Sequence, residues 1–239
     1  MIKETAPMPQ LWQAQLPDRP LAGLTVMLVE DSRFASEALR LLCLRSGARI
    51  RRADCMESAQ RHLRTYRAGV IIVDLGLPDG NGADLIAQIK SQNLAPVVLG
   101  ISGDPGAEDA AMAAGADGFL HKPVESLALF QARLLALLPA ARKRGPRLLP
   151  DEVVTPGGAS LHDDLSHADA LLTVPSGAET LDYAIRFLSS VARSSHDVQM
   201  AELISQLGDE RGAGTCSEAS LARLRGMVKE RLFSVGGAC

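Results

Sequence analysis

Aromatic side chains are scarce in this 239-residue chain: 3% of residues, with one Trp, two Tyr and five Phe. So few rings leave little for the stacking platforms that single-stranded nucleic acids require. Cysteine is scarce as well. Cys43, Cys55, Cys216 and Cys239 lie far apart, with no C-x-x-C pair and no Cys/His grouping at metal-ligand spacing. That pattern excludes a zinc ribbon and a disulfide scaffold, and a reduced, cytoplasmic protein is the expectation. Neither sign of charge dominates, since 25 Lys and Arg face 28 Asp and Glu for a formal net charge of −3. No general attraction to a polyanion results. No apolar run is long enough for a membrane span. The opening MIKETAPMPQLWQAQLPDRP lacks the apolar stretch of a signal peptide. What is present is 46% apolar and 22% charged residues, a mix that supports a buried core and excludes wholesale disorder.

Residues 1–20 read as an irregular leader whose Leu11, Trp12 and Leu16 would pack on the adjoining domain. From Leu24 onward, short apolar runs alternate with helical periodicity. LTVMLV (24–29), GVIIVDL (69–75) and PVVLGIS (96–102) are near-continuous apolar runs, as expected of strands buried on both faces. ARIRRA (48–53) carries charge and suits an edge strand. DGFLH (117–121) is a short fifth strand. Helices are expected between these runs, and a last one over Val124–Leu138 with Leu127, Phe130, Leu134 and Leu138 on one stripe. Five strands alternating with five helices predict an α/β domain over 21–138, a doubly wound parallel sheet. Pro139 and the turn formers beyond it predict a linker over 139–159. From 160 to 239 only helical periodicity remains, so a small all-α region is expected. There Ser160 and Ser217 are candidate helix caps and Gly208 a helix stop.

The chemistry lies at strand ends, where open parallel sheets bind ligands. Glu30 and Asp31 come directly after the first strand and Asp74 ends the third. If those strands are neighbours, three carboxylates converge, raising one another's pKa unless a cation is bound. An all-oxygen set favours a hard ion, with Mg²⁺ the obvious one. Ser102 brings a hydroxyl to the same rim and Lys122 a cation. Pro123 sits at a plausible cis-proline position that would aim the lysine inward. Acids, metal, hydroxyl and lysine together suit phosphoryl transfer, with one carboxylate as nucleophile. Singly, each residue has a plainer reading. Asp31 or Ser32 would cap a helix, Ser102 would end a strand, and Phe119 would be ordinary core.

The stretch from Leu24 to Leu138 resembles a response-regulator receiver domain of a two-component system. The resemblance rests on VEDS (29–32), on DLGLPDGNG (74–82) with its proline four and glycine eight residues past the aspartate, on ISG (101–103) and on GADGFLHKP (115–123). It implies a flavodoxin-like sheet of order 2-1-3-4-5. It makes Asp74 the phosphoacceptor, and Glu30, Asp31, Asp74 and the Gly76 carbonyl the Mg²⁺ ligands. Ser102 would hydrogen-bond the phosphoryl group, Lys122 would pair with it, and Gly103 would leave room for it. Ser102 and Phe119 would form the switch. The implied partner is a sensor histidine kinase or phosphotransfer protein, with the chain an acceptor rather than an enzyme with its own catalytic domain.

The helical region says less. From Pro146 onward it holds eight Lys and Arg against thirteen Asp and Glu, a poor balance for binding duplex phosphates. Arg223, Arg225, Lys229 and Arg231 on the last helix read as a solvated face. His162, His167 and His196 lack the context of a phosphohistidine. The apolar stripes at 181–191, 198–207 and 221–232 look too short to cover one another, so a homodimer or protein partner, or docking on the receiver, is expected. Nucleic acid is the less favoured alternative, acting through the helical region under phosphorylation control.

Overall fold

The computed structural model describes residues 19–94, 97–139, 151–173 and 177–236. Leu11, Trp12, Leu16 and Cys239 lie outside the described residues. The first unit runs β1 (Thr25–Val29), α1 (Arg33–Arg45), β2 (Arg49–Ala53), α2 (Met56–Thr65), β3 (Val70–Asp74), β4 (Gly76–Leu77), β5 (Gly80–Asn81), α3 (Gly82–Ser91), β6 (Val97–Ser102), α4 (Ala107–Ala113), β7 (Gly118–His121) and α5 (Leu127–Leu137). The parallel sheet has the order β2-β1-β3-β6-β7. With the small β4–β5 hairpin set aside, this is the expected 2-1-3-4-5. The charged strand β2 is at the edge, and strand order reverses about β1.

Alternation along the strands explains the two cores. Val26 and Leu28 of β1 join Val70 and Ile72 of β3 on one face, beneath Leu39 and Leu42 of α1 and Phe130 and Leu134 of α5. Met27, Val29, Ile71 and Val73 face the other way, onto Ala59 and Leu63 of α2 and Leu85, Ile86 and Ile89 of α3. Each of these Val, Leu, Ile, Met or Phe side chains contributes about 1.5–3 kcal/mol by leaving water. The β4–β5 hairpin has no counterpart in the apolar pattern of the sequence. It folds the DLGLPDGNG segment back so that α3 starts against the end of β3. Gly82 is required there, because a Cβ at that position would lie 1.9 Å from the Asp74 carbonyl oxygen.

Of the interval read as a linker, 140–150 lies outside the described residues, but 151–154 is a strap on the α/β unit. Val153 bridges Ser126, the Leu127 N–H donates to the Glu152 carbonyl, and the Val154 N–H donates to the Glu125 carbonyl. Val154 itself is part of that unit's core.

Four helices complete the chain: α6 (Gly158–Thr173), α7 (Ala178–Ser194), α8 (Val198–Gly212) and α9 (Glu218–Gly236). Three sequence expectations need correction here. Helix α6 begins before Ser160, whose hydroxyl donates to the Gly157 carbonyl instead of capping. Gly208 does not stop α8, because the burial of Ile204 and Leu207 carries the helix through to Gly212. Nor do the stripes lack cover. Each helix packs on two others, α6 on α7 and α9, α8 on α7 and α9. Leu165, Ala168, Leu188, Val191, Ile204, Leu207, Leu224 and Val228 form one core. Ser217 does cap α9, accepting from the Ser220 N–H at 3.1 Å. The bundle docks on the α/β unit through α6 and α7 against α1, and the seam is largely polar.

Candidate functional site

Sheet register brings the acids together. Val29 pairs with Val73, so the residues one step further, Glu30 and Asp74, end adjacent strands side by side. Asp74 is in turn opposite Ile101, and Ser102 opposite His121, which sets Ser102 and Lys122 on the same rim. One carboxylate oxygen from each of Glu30, Asp31 and Asp74 lies within 4.8 Å of the others. The Lys122 ammonium enters this group at 2.8 Å from Glu30 Oε2 and 3.2 Å from Asp74 Oδ2. The Lys122–Pro123 peptide is cis. Gly76 borders the cluster, since a Cβ there would touch Asp74 Oδ2 at 3.9 Å.

Three carboxylates surround one ammonium in a buried place, and the titration reflects that imbalance. Burial, followed by the charge of Asp74, holds Glu30 well above the usual carboxylate range, against the pull of Lys122. Asp31 is pushed up to about 6 by burial and by Asp74, with a hydrogen bond from Tyr183 acting in the opposite sense. Burial alone would lower Lys122, yet Asp74 and Glu30 outweigh it and keep the ammonium protonated far above neutrality. Surplus negative charge on an all-oxygen set fits a hard divalent cation. Glu30, Asp31 and Asp74 are the residues that would hold Mg²⁺.

Ser102 is buried on the rim; its hydroxyl accepts from the Asp104 N–H at 3.1 Å, and its carbonyl accepts from the Lys122 N–H at 2.9 Å. Phe119 belongs to the core beside Val98 and Ala111, its ring edge-on to His121 at 5.0 Å. A Cβ at Gly100 would strike both Ala111 and Phe119, so that glycine makes the space for the ring.

The bundle supplies what sequence reasoning missed. Tyr183 donates to Asp31 Oδ2 at 2.7 Å. Lys122 Nζ donates to Ser190 Oγ at 3.0 Å. Arg193 donates to the Gly103 carbonyl and pairs with Asp104 at 3.0 Å. Asp164, on α6, caps α1 from outside: it accepts from Ser32 Oγ and the Arg33 N–H, both at 2.7 Å, and from the Phe34 N–H at 3.0 Å. A carboxylate at a helix N-terminus is favourable, but nothing local in the sequence announces a cap 131 residues away. Asp164→Ala is expected to cost about 2–3 kcal/mol, because it leaves two helix donors and a hydroxyl without partners. Hydrogen exchange should rise in the first turn of α1 and along α6. An unchanged urea midpoint would show that the seam does not depend on this cap.

Two open grooves lie beside the rim, and the first reaches the cluster at Asp31. One, of about 590 Å³, runs past Asp31, Asp54, Pro78, His167 and Tyr183. The other, of about 380 Å³, is lined by Gly76, Asn81, Ser102, Asp104 and Arg186.

Residues 26–133 match the family described as response regulator receiver domain. Among curated proteins, the KDP operon transcriptional regulatory protein KdpE of Escherichia coli is 33% identical over 130 residues, 54% of this chain and 56% of that protein. The virulence transcriptional regulatory protein PhoP of Salmonella typhimurium is 30% identical over 117 residues, 48% of this chain and 52% of that one. The chain spans about half the length of the curated relatives it matches. Among solved structures, the receiver domain of the Francisella response regulator 1452 superposes with a TM-score of 0.44 at 21% identity, covering 51% of this chain and all of that one. Vibrio cholerae CheY4 gives 0.45 at 22%, covering 49% and 100%. Among the described residues no helix is long and apolar enough to cross a membrane. The matched residues, the strand order and the rim they build make 26–133 a response-regulator receiver domain, joined here to a four-helix bundle outside the matched stretch.

Proposed function

We propose that this chain is a two-component response regulator in which Mg²⁺-dependent phosphoryl transfer to Asp74 switches the receiver and, through it, the docked bundle. The observation that carries this reading is the meeting of three carboxylates within 4.8 Å with a lysine 3.2 Å from Asp74. An Asp74 oxygen attacks the donor phosphorus. The phosphorus bond to the donor's imidazole nitrogen or acyl oxygen breaks, and the electron pair leaves with the donor. A bound divalent ion would neutralise charge on the phosphoryl oxygens. Lys122 supplies a fixed ammonium beside Asp74, and Ser102 a hydroxyl on the same rim. The donor class is a sensor histidine kinase or phosphotransfer protein. In this step the chain acts as the acceptor.

For the output, a protein partner or self-association is favoured by charge. Of the cations on the last helix, Arg225 is tied to Glu218 and the Leu172 carbonyl, and Arg231 to Asp197 and Gln199. That leaves a weak basic face for phosphates. A nucleic-acid output is the second reading. KdpE and PhoP are named as transcriptional regulators, so setting nucleic acid aside finds no support in kinship. Labelling by acetyl phosphate should require Mg²⁺ and stop with EDTA. Sedimentation with and without beryllofluoride should show a change in self-association. A duplex shift that weakens steeply with salt would instead favour the nucleic-acid output.

A further inference from the structure

Helix α7 has two working faces. Leu181, Ala184, Ile185, Leu188 and Val191 pack within the bundle. Tyr183, Arg186, Ser190 and Arg193, three or four residues apart and so aligned along the helix, face the receiver rim. Their contacts coincide with the places a phosphorylated receiver would use. Tyr183 holds an oxygen of Asp31, one of the three clustered carboxylates. Ser190 holds the ammonium of Lys122, the cation beside Asp74. The room left by Gly103 is taken by Arg193, whose Cδ and Nη1 would lie 3.1 and 3.3 Å from a Cβ at that position. Asp74 is 4% exposed beneath this arrangement.

Resting on the phosphorylation reading above, we propose that Tyr183, Ser190 and Arg193 are competing ligands of the acid pocket, so that the docked bundle and the metal-loaded, phosphorylated pocket exclude one another. A divalent ion at the cluster needs Asp31, which Tyr183 engages. A phosphoryl group on Asp74 needs Lys122 and the space at Gly103, which Ser190 and Arg193 engage. Both gains come at the expense of α7 contacts, so each ligand binds the undocked state better. Only such differential affinity shifts a two-state equilibrium. Linkage makes the effect reciprocal: docking weakens the pocket's hold on metal by the same factor by which metal weakens docking, so a variant that docks less well holds metal more tightly.

The test uses the full chain. Mg²⁺ binding is measured calorimetrically without any phosphodonor for wild type, Tyr183→Phe, Ser190→Ala and Arg193→Met. Hydrogen exchange of residues 178–194 is monitored with and without Mg²⁺ plus beryllofluoride. Tyr183→Phe keeps the ring against Phe187, 5.9 Å away between centroids, so the bundle core is preserved. Continued protection of α8 and α9 verifies this. Competition predicts Mg²⁺ binding about fivefold or more tighter in Tyr183→Phe, and loss of α7 protection, with α8 still protected, when beryllofluoride binds. Equal or weaker Mg²⁺ affinity in all three variants overturns the proposal, as does full α7 protection with beryllofluoride bound. If the variants bind Mg²⁺ more tightly yet no phosphoryl donor labels the chain, competition stands and the phosphorylation reading falls.

Discussion

A chain carrying Asp74→Asn is expected to take up no label from acetyl phosphate under conditions where wild type labels fully. The amide has the shape of the carboxylate but no charged oxygen to attack phosphorus. The other two carboxylates are poor substitutes. Glu30 is fully buried and paired with Lys122 at 2.8 Å, and one oxygen of Asp31 accepts from Tyr183 at 2.7 Å. The substitution also removes one of three like charges, which relieves repulsion. The variant should therefore be at least as stable as wild type and keep α7 protected from exchange. Lost labelling with an intact exchange pattern assigns the acceptor. Label retained on Asp31 in the variant would move the site by one strand.

Lys122→Ala should be the most destabilising single change at the rim. The ammonium is within 3.2 Å of both Glu30 and Asp74, and its side chain is almost wholly buried. Removing one partner of a buried ion pair strands the other, at a cost of about 3–5 kcal/mol. The pH dependence comes from Glu30. Its folded-state pKa is already raised, and loss of the lysine raises it further. A carboxyl group raised on folding favours the folded state below that pKa and disfavours it as pH rises through it. The variant's deficit should thus shrink from pH 7.5 toward pH 5, and added Mg²⁺ should restore part of it by mass action. Urea melts at the two pH values, with and without Mg²⁺, read this directly. A constant deficit at both would mean that Lys122 packs rather than neutralises. Phosphorylation that survives in this variant should reach the bundle more weakly, because Ser190 has lost its partner on the receiver.

The receiver was legible because each element of its rim is local. Strand-end acids, a glycine that only a close approach explains, and a Lys-Pro after a short strand are visible in one pass, and sheet register does the rest. Gly82 shows this most clearly: its place in the motif is dictated by the Asp74 carbonyl that would overlap a Cβ. The bundle resisted for the opposite reason. Asp164 caps a helix in the other unit, a relation that leaves no local pattern. The polar row at 183, 186, 190 and 193 has helical spacing and lay open to view, but its meaning depends on what faces it. The stripes that seemed to need an outside partner found cover in α6, whose Leu165, Ala168 and Leu172 close the core. What remained to dock was a polar face, which apolar periodicity cannot reveal.

The strap at Val153 and Val154 sets a leash. Val154 is fixed to the receiver by its N–H and its buried side chain, and only Thr155, Pro156 and Gly157 separate it from the start of α6. Fully extended, that tether reaches about 14 Å, at roughly 3.4 Å per residue step. A bundle released from the pocket therefore lingers beside it, at a local concentration on the order of millimolar or above. On the proposed phosphotransfer reading, a diffusing donor protein at far lower concentration would compete against that standing crowd of one. Lengthening the tether would then ease the donor's task without touching a single residue of the pocket.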